Sequence, residues 1–188
     1  MPRQTSNKRK NRHCQTGFTL VELMITILIS AILLAITIPS FTVFLKTVRL
    51  NSLSATIVSS LQEGRSEAIK RNARVLVCAS DSAGAACRRD ADWGSEGWIV
   101  CYDNDADNTC DPTADTMPNP IRREKAVNNG IARITGPVSP IGFNPTGSQG
   151  AVGSTPLTIT IVAGAERGAP SRSITMAATG LIKGTRTN

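Results

Sequence analysis

Four cysteines in the central part of the chain could form disulfides or bind a metal ion. They are Cys78, Cys87, Cys101 and Cys110. Zinc sites usually combine C-x-x-C pairs or histidines, but none of the four cysteines forms such a pair and the single histidine is His13. We therefore predict two disulfides and no metal or other cofactor. The spacing leaves the three pairings open, although pairing Cys78 with Cys87 and Cys101 with Cys110 would close two short loops of similar size.

Alternating aspartates next to the third cysteine have the spacing of a calcium-binding turn. They are Asp103, Asp105 and Asp107, with Asp111 at the ninth position of an EF-hand loop. The rest of that template fails, because Asn108 stands where the turn glycine belongs and Ala114 where the bidentate glutamate belongs. The pattern therefore predicts a solvated acidic turn rather than a calcium site.

The chain lacks the residue sets of common hydrolytic enzymes. Beyond residue 17 it contains no histidine, no G-x-S-x-G motif and no cysteine with a plausible base partner for nucleophilic catalysis. Loop carboxylates such as Asp90, Asp92 and Glu96 are interpreted as solvated surface acids. We expect a protein that is not an enzyme.

An apolar segment near the N-terminus predicts on which side of a membrane the rest of the chain lies. From Phe18 to Ile38 there are 21 consecutive residues with one ionisable side chain, Glu22, enough for a helix that crosses a bilayer of about 30 Å. Five basic residues and no acid precede it, which predicts a cytoplasmic N-terminus and an external remainder. A carboxylate in such a segment costs about 2.5–3.5 kcal/mol on insertion scales unless it is paired or interfacial, so Glu22 indicates a function.

The residues around this boundary resemble a known processing signal. Gly17-Phe18-Thr19-Leu20-Val21-Glu22-Leu23 is similar to the class III leader of type IV pilins and type II secretion pseudopilins. The resemblance implies that a prepilin peptidase cuts after Gly17 and methylates Phe18, that Glu22 aligns subunits, and that Pro39 is the family's helix-bending proline. It also implies three partners: the peptidase, other pilins in a filament, and the inner membrane.

The net charge of +7 is concentrated in the segment that cleavage would remove. Five of the 21 basic residues lie in residues 1–17, so the remainder has 16 basic and 14 acidic residues. Within that remainder, residues 75–115 contain two basic and nine acidic residues, whereas residues 116–188 contain eight basic and two acidic ones. We expect a head with an uneven charge distribution, not a generally basic protein.

The rest of the sequence predicts one long helix followed by a sheet. Apolar residues at helical spacing continue the first helix to about Asn72; they are Leu50, Leu53, Ile57, Leu61 and Ala68. Short segments rich in β-branched residues then predict strands at 74–79, 94–102, 121–127, 131–135, 141–143, 157–163 and 172–177. The fold class is α+β. The predicted parts are a leader (1–17), a transmembrane and assembly helix (18–45), an amphipathic continuation (46–74) and a disulfide-bonded β-rich periplasmic head (75–188).

The head further resembles the pseudopilin H and FimT-type minor pilin family. The match covers Val75 to Cys78, Trp93 to Cys101 and the acidic turn Asp103 to Asp107. It implies a minor pilin or pseudopilin of the inner membrane that joins a type IV pilus or a type II secretion pseudopilus. Some FimT-type proteins bind DNA through a basic tail, which corresponds in part to Gly180 to Arg186. The alternative function is therefore DNA uptake, with four candidate contacts: Lys183, Arg186, Arg172 and Arg167.

Overall fold

The computed structural model of the chain describes residues 17–112, 119–127, 132–150, 157–164 and 169–187, without the side chains of 36–40 and 187. It divides into two compact units, Met1–Thr42 and Val43–Asn188, which we call the N-terminal unit and the head. The first helix, α1 (Leu20–Arg71), contributes to both.

Helix α1 ends where the sequence predicted. Asn72 has a positive φ of 51°, and the Ala73 N–H donates a hydrogen bond of 3.2 Å to the Ala68 carbonyl. A left-handed residue followed by this bond is a Schellman motif, which satisfies carbonyls that would otherwise lack a partner at the helix end. Lys70 and Arg71 lie in the last turn, where positive charge is favoured by the helix dipole.

In the part of the head that the structure describes, nine strands form two antiparallel sheets. In chain order they are β1 (Val75–Ala79), β2 (Trp98–Tyr102), β3 (Arg122–Glu124), β4 (Arg133–Thr135), β5 (Ile141–Phe143), β6 (Gln149–Gly150), β7 (Leu157–Val162), β8 (Ser171–Met176) and β9 (Ile182–Thr187). The first sheet has the order β3-β2-β1-β5-β6 and the second β4-β7-β8-β9. This is the predicted α+β class.

The second half of α1 packs its apolar stripe into the core of the head. Four of the five predicted stripe residues, Leu50, Ile57, Leu61 and Ala68, are at most 1% exposed. The core also includes Val77 and Phe143 from the first sheet and apolar residues from the second, such as Ile134, Ile161 and Ile174. Gly64 permits a close approach of helix and sheet, since a Cβ there would lie 3.0 Å from Val77 Cγ2.

Strands β1 and β2 are buried on both faces. Val75, Val77 and Val100 face the main core, whereas Leu76 and Ile99 belong to a second cluster that includes the four cysteines. A strand buried on both faces lacks the alternation of a half-exposed strand, which explains why VLVCA and WIVCY are almost continuously apolar.

Strands β6 and β9 were not predicted. The sequence suggests only a basic tail after Gly180, but residues 182–187 pair with β8 along its whole length. That interpretation was wrong because β9 is an edge strand of small and charged residues, IKGTRT, in which only Ile182 gives an apolar signal.

Candidate functional site

The start of α1 is capped by a side chain next to the predicted processing site. The Thr19 hydroxyl accepts a hydrogen bond of 3.2 Å from the Glu22 N–H, and the Thr19 carbonyl accepts the first intrahelical bond from the Leu23 N–H at 3.1 Å. Thr19 is therefore the N-cap, and Glu22 occupies the third helical position. Thr-x-x-Glu is the capping-box pattern, and Phe18 and Leu23 occupy the two positions of a hydrophobic staple.

Every residue of this capping pattern lies after Gly17. Gly17 is exposed, and a Cβ added there would meet no atom of the described residues within 4 Å, so packing against those residues does not require glycine at this position. Glu22 is also exposed and lies in the first turn, where the helix dipole favours a carboxylate. Pro39 lies within α1, whose helical backbone continues past it.

The N-terminal unit exposes its apolar side chains. Large apolar residues of this part of α1 are at least half exposed, among them Met24 (64%), Ile27 (61%) and Leu33 (61%). Within the portion of the helix that the structure describes, no stretch is both long enough and apolar enough to cross a membrane.

The four cysteines pair locally. Cys78 is bonded to Cys87, and Cys101 to Cys110, with Cα–Cα distances of 5.5 and 5.6 Å. Each bond joins a buried strand residue to the loop that follows its strand. Together the two loops cover the face of β1 and β2 that points away from α1.

An arginine that precedes β1 pairs with a carboxylate of the acidic turn. Asp103 is fully buried and forms an ion pair of 2.8 Å with Arg74, whose guanidinium also donates a 2.6 Å hydrogen bond to the Asn108 side chain. The N–H groups of Asp107 and Asn108 donate to the Asp103 carboxylate at 3.1 and 3.3 Å. Burial raises the pKa of Asp103 against the opposing effect of Arg74. The carboxylates of Asp103, Asp105 and Asp107 lie within 4.8 Å of one another, which is close enough for them to bind a metal ion together. Arg74, however, already supplies a positive charge to Asp103.

The hydrogen bonds of the exposed part of this turn stabilise its charged form. Asp107 accepts hydrogen bonds of 2.7 Å from both the hydroxyl and the N–H of Thr109, and these hold its pKa below the usual value. The sequence predicted a solvated acidic turn, and Asp105 and Asp107 are exposed, but Asp103 is buried against Arg74.

The structure separates the candidate DNA contacts. Arg172 is only 9% exposed, and its Nε and Nη2 donate to the Asn51 side chain at 3.1 and 2.6 Å. Arg186 lies directly opposite Arg172 on β9 and shares its face of the sheet, whereas Lys183 is on the other face. Arg167 lies outside the described residues.

Comparison with protein families gives matches to both parts of the chain. Residues 54–180 match the family described as "Type II transport protein GspH", and residues 12–38 match the prokaryotic N-terminal methylation motif. The chain belongs to the GspH family. The recognition of a pseudopilin H type of head and of a methylation motif at the N-terminus is therefore confirmed.

Solved structures show the same fold for this GspH-family chain. It is similar to the type IV minor pilin FimU of Pseudomonas aeruginosa, with a TM-score of 0.53, 19% identity, and coverage of 74% of this chain and 90% of FimU. A second crystal form of FimU gives a TM-score of 0.48 at 20% identity, covering 72% and 92%. A comparison with curated protein sequences gives no match.

Sequence reasoning missed one functional residue of this family member and could have found it. Thr19 was named only as part of the processing motif, yet Thr-x-x-Glu before an apolar run is a recognisable helix start. The closeness of the two disulfides had no such signal, because it depends on the register of β1 against β2.

Proposed function

We propose that this protein is a minor pilin or pseudopilin, a structural subunit that prepilin peptidase processes before it joins a filament. The observation that carries the proposal is the coincidence of two boundaries. The matched methylation motif spans residues 12–38, the resemblance of residues 17–23 to a prepilin leader would put cleavage after Gly17, and the cap of α1 begins two residues later at Thr19. Cleavage there would leave the mature chain with its complete helix-start signal and remove only the basic leader.

The exposed apolar half of α1 is proposed to serve first as a membrane anchor and then as the assembly surface. The run from Phe18 to Ile38 supports an inner-membrane helix with a cytoplasmic N-terminus, and the basic leader supports that orientation. In a filament the same side chains would exchange lipid for neighbouring helices. The head would then lie in the periplasm, where disulfides persist.

Glu22 is proposed to pair with the α-amino group of a neighbouring Phe18 during assembly. Two effects of Glu22 must be distinguished, since a residue at the third helical position also contributes to capping. Glutamine can take the same role in a capping box but carries no charge. Glu22→Gln therefore removes the proposed ion pair while keeping the helix start.

The experiment compares filament incorporation of Glu22→Gln, Glu22→Ala and Thr19→Ala in a host that assembles the wild-type chain. We expect both Glu22 variants to be processed but not incorporated. Thr19→Ala loses a cap worth about 1 kcal/mol and should still be incorporated, because it retains the charge. Normal incorporation of Glu22→Gln would contradict the charge-pairing role.

Two filaments fit this proposal, a type II secretion pseudopilus and a type IV pilus, and the family match helps to choose between them. The GspH description names type II transport, which supports a secretion pseudopilus, whereas the fold is shared with a type IV minor pilin. Deleting the gene for this chain should impair export of secreted enzymes if the chain belongs to a secretion pseudopilus. It should impair surface pili or twitching if the chain belongs to a type IV pilus. Complementation by the wild-type chain but not by Glu22→Gln would link either defect to assembly.

A second candidate function, DNA contact, is favoured by one face of the second sheet. The outward side of β4-β7-β8-β9 carries hydroxyl side chains together with Arg133 and Lys183, and its described residues include no acid. The hydroxyl residues are Thr135, Thr158, Thr160, Ser171, Ser173, Thr175 and Thr185. Arginine, lysine, serine and threonine are the usual contacts to phosphate, so this face would suit a sequence-independent DNA backbone contact.

A titration of the whole chain in detergent with duplex DNA at two salt concentrations tests this candidate. Replacing Arg133 and Lys183 by alanine should reduce the slope of log affinity against log salt by about two, at roughly 0.9 per phosphate. Arg89→Ala with Lys125→Ala removes the same charge from exposed positions off this face and should leave the slope unchanged. Equal effects of the two double variants would exclude a DNA surface here.

A further inference from the structure

The sulfur atoms of the two disulfides form a single cluster. All four Sγ atoms lie within 4.8 Å of one another, and those of Cys87 and Cys110, which are not bonded to each other, are 3.7 Å apart.

The register of β1 and β2 brings two of the sulfurs together. Leu76 pairs with Cys101 and Cys78 with Ile99, so Cys78 and Cys101 are diagonal neighbours on the same face. Both are at most 1% exposed, and Leu76 and Ile99 beside them make the surroundings apolar. These two cysteines are thus fixed by the sheet, whatever their oxidation state.

Backbone hydrogen bonds hold the other two cysteines in place independently of the disulfides. The residue after Cys87, Arg88, donates its N–H to the Ala79 carbonyl at 2.8 Å. The residue after Cys110, Asp111, donates to the Tyr102 carbonyl at 2.9 Å. Neither hydrogen bond involves a sulfur atom, so reduction of the disulfides does not itself break them.

The size of the cluster matches a tetrahedral metal site. Zinc binds thiolates at about 2.3 Å, which places the sulfurs of a tetrahedral four-cysteine site about 3.8 Å apart. The cluster already has its non-bonded loop sulfurs at 3.7 Å, and no pair exceeds 4.8 Å. On reduction the sulfurs of each bonded pair would have to separate to reach this spacing.

We propose that, when both disulfides are reduced, the four cysteines form a tetrathiolate site for zinc or a similar soft divalent cation. A dithiol reductant supplies two electrons and two protons to each disulfide and is itself oxidised to a disulfide, which yields four thiols. The metal then displaces the four thiol protons and binds the four thiolates. The disulfide and metal states exclude each other, so the metal would bind only where the thiols are kept reduced.

The test uses the full-length chain in detergent, reduced with a dithiol under anaerobic conditions, freed of reductant and titrated with cobalt. We expect one cobalt per chain with thiolate-to-cobalt charge-transfer bands and the visible bands of tetrahedral cobalt, all lost when zinc is added. Zinc should protect the four thiols from alkylation and raise the melting temperature above that of the reduced, metal-free chain. The circular dichroism of the zinc-loaded chain should equal that of the oxidised chain.

Variants separate this site from other metal-binding groups. Losing a group that merely hydrogen-bonds a metal ligand costs about 10–100-fold in affinity, so Cys87→Ser and Cys110→Ser should each weaken cobalt binding by more than about tenfold. Asp105→Asn with Asp107→Asn removes carboxylates of the acidic turn and should leave binding unchanged. The proposal is overturned if the reduced wild-type chain binds no cobalt saturably, if the serine variants bind equally well, or if the loaded chain lacks the oxidised chain's circular dichroism.

Discussion

The two halves of α1 are both rich in apolar residues but arrange them differently. In the N-terminal unit such residues point in all directions and stay exposed, as Ile27 (61%) and Leu28 (62%) show. In the head they form a stripe, and Ile57 and Leu61 are at most 1% exposed. A helix that is apolar all round needs a surrounding of lipid or protein, whereas a striped helix needs only one neighbouring face.

Along one helix, the second half therefore contributes to folding of the head, and the first half is left for contacts outside the chain. The sheets of the head bury the stripe of α1 in a shared core. The N-terminal unit buries almost nothing within the described chain and must find its surroundings outside the chain. Identical substitutions in the two halves should therefore affect different properties.

The sharpest test of the comparison replaces isoleucine by alanine in each half. Ile57→Ala creates a cavity in the core and should lower the free energy of unfolding of the head by about 2–5 kcal/mol. Ile27→Ala removes an exposed side chain and should change it by no more than about 0.5 kcal/mol. Chemical denaturation of the full-length chain in detergent measures both. A loss of head stability in Ile27→Ala as large as in Ile57→Ala would contradict the division.

The disulfides should matter to the head alone. Each closes a short loop, and the loop-entropy relation gives about 2–3 kcal/mol per bond. Replacing Cys78 and Cys87 together, or Cys101 and Cys110 together, by alanine should lower the melting temperature by several degrees. The two disulfides close loops of equal length, with a sequence separation of 9 in each, so the two double variants should be destabilised by similar amounts. Processing at Gly17 should be unaffected in both, and impaired processing would show that the two regions are coupled.

A smaller effect concerns acid stability at the distal end of α1. Glu67 accepts hydrogen bonds of 3.1 Å from Lys70 and from the Tyr102 hydroxyl. The Lys70 contact is the main reason that the pKa of Glu67 lies below its ordinary value of 4.5; burial opposes it, and Tyr102 adds to it.

Because the folded-state pKa is lowered, this contribution to stability is complete above pH 4.5 and is lost as the pH falls through the folded-state pKa. Glu67→Gln should therefore flatten the acid side of the melting temperature curve, and Tyr102→Phe should do so partly. Superimposable curves for wild type and Glu67→Gln would show that this contact contributes nothing.

The sequence predicted the parts of the fold that follow a strong period. The stripe from Leu50 to Ala68 predicted the buried face of α1, and Asn72 marked its end, because both depend only on local helix geometry. The segments rich in β-branched residues predicted strands at the positions of β7 and β8. The local disulfide pairing was one of three alternatives that sequence alone left open.

The rest depended on contacts between distant segments. Strand β9 forms because β8 offers it a free edge, which no pattern within Ile182–Thr187 reveals. The same pairing places Lys183 and Arg186 on opposite faces, although a sequence motif suggests that they act together. The sequence suggested Arg172 as a candidate DNA contact, whereas in the structure its guanidinium donates a hydrogen bond to the Asn51 side chain.

The central claim, that the helix start and the processing site are one functional boundary, is tested most directly by the mass of the mature N-terminus. The full-length chain should be expressed with and without a prepilin peptidase and analysed by mass spectrometry, with Gly17→Leu as the matched control. We predict that the peptidase removes residues 1–17 and leaves an N-methylated Phe18, and that the variant stays uncut. An intact N-terminus in the presence of an active peptidase, or a cut beyond Pro39, would contradict the account.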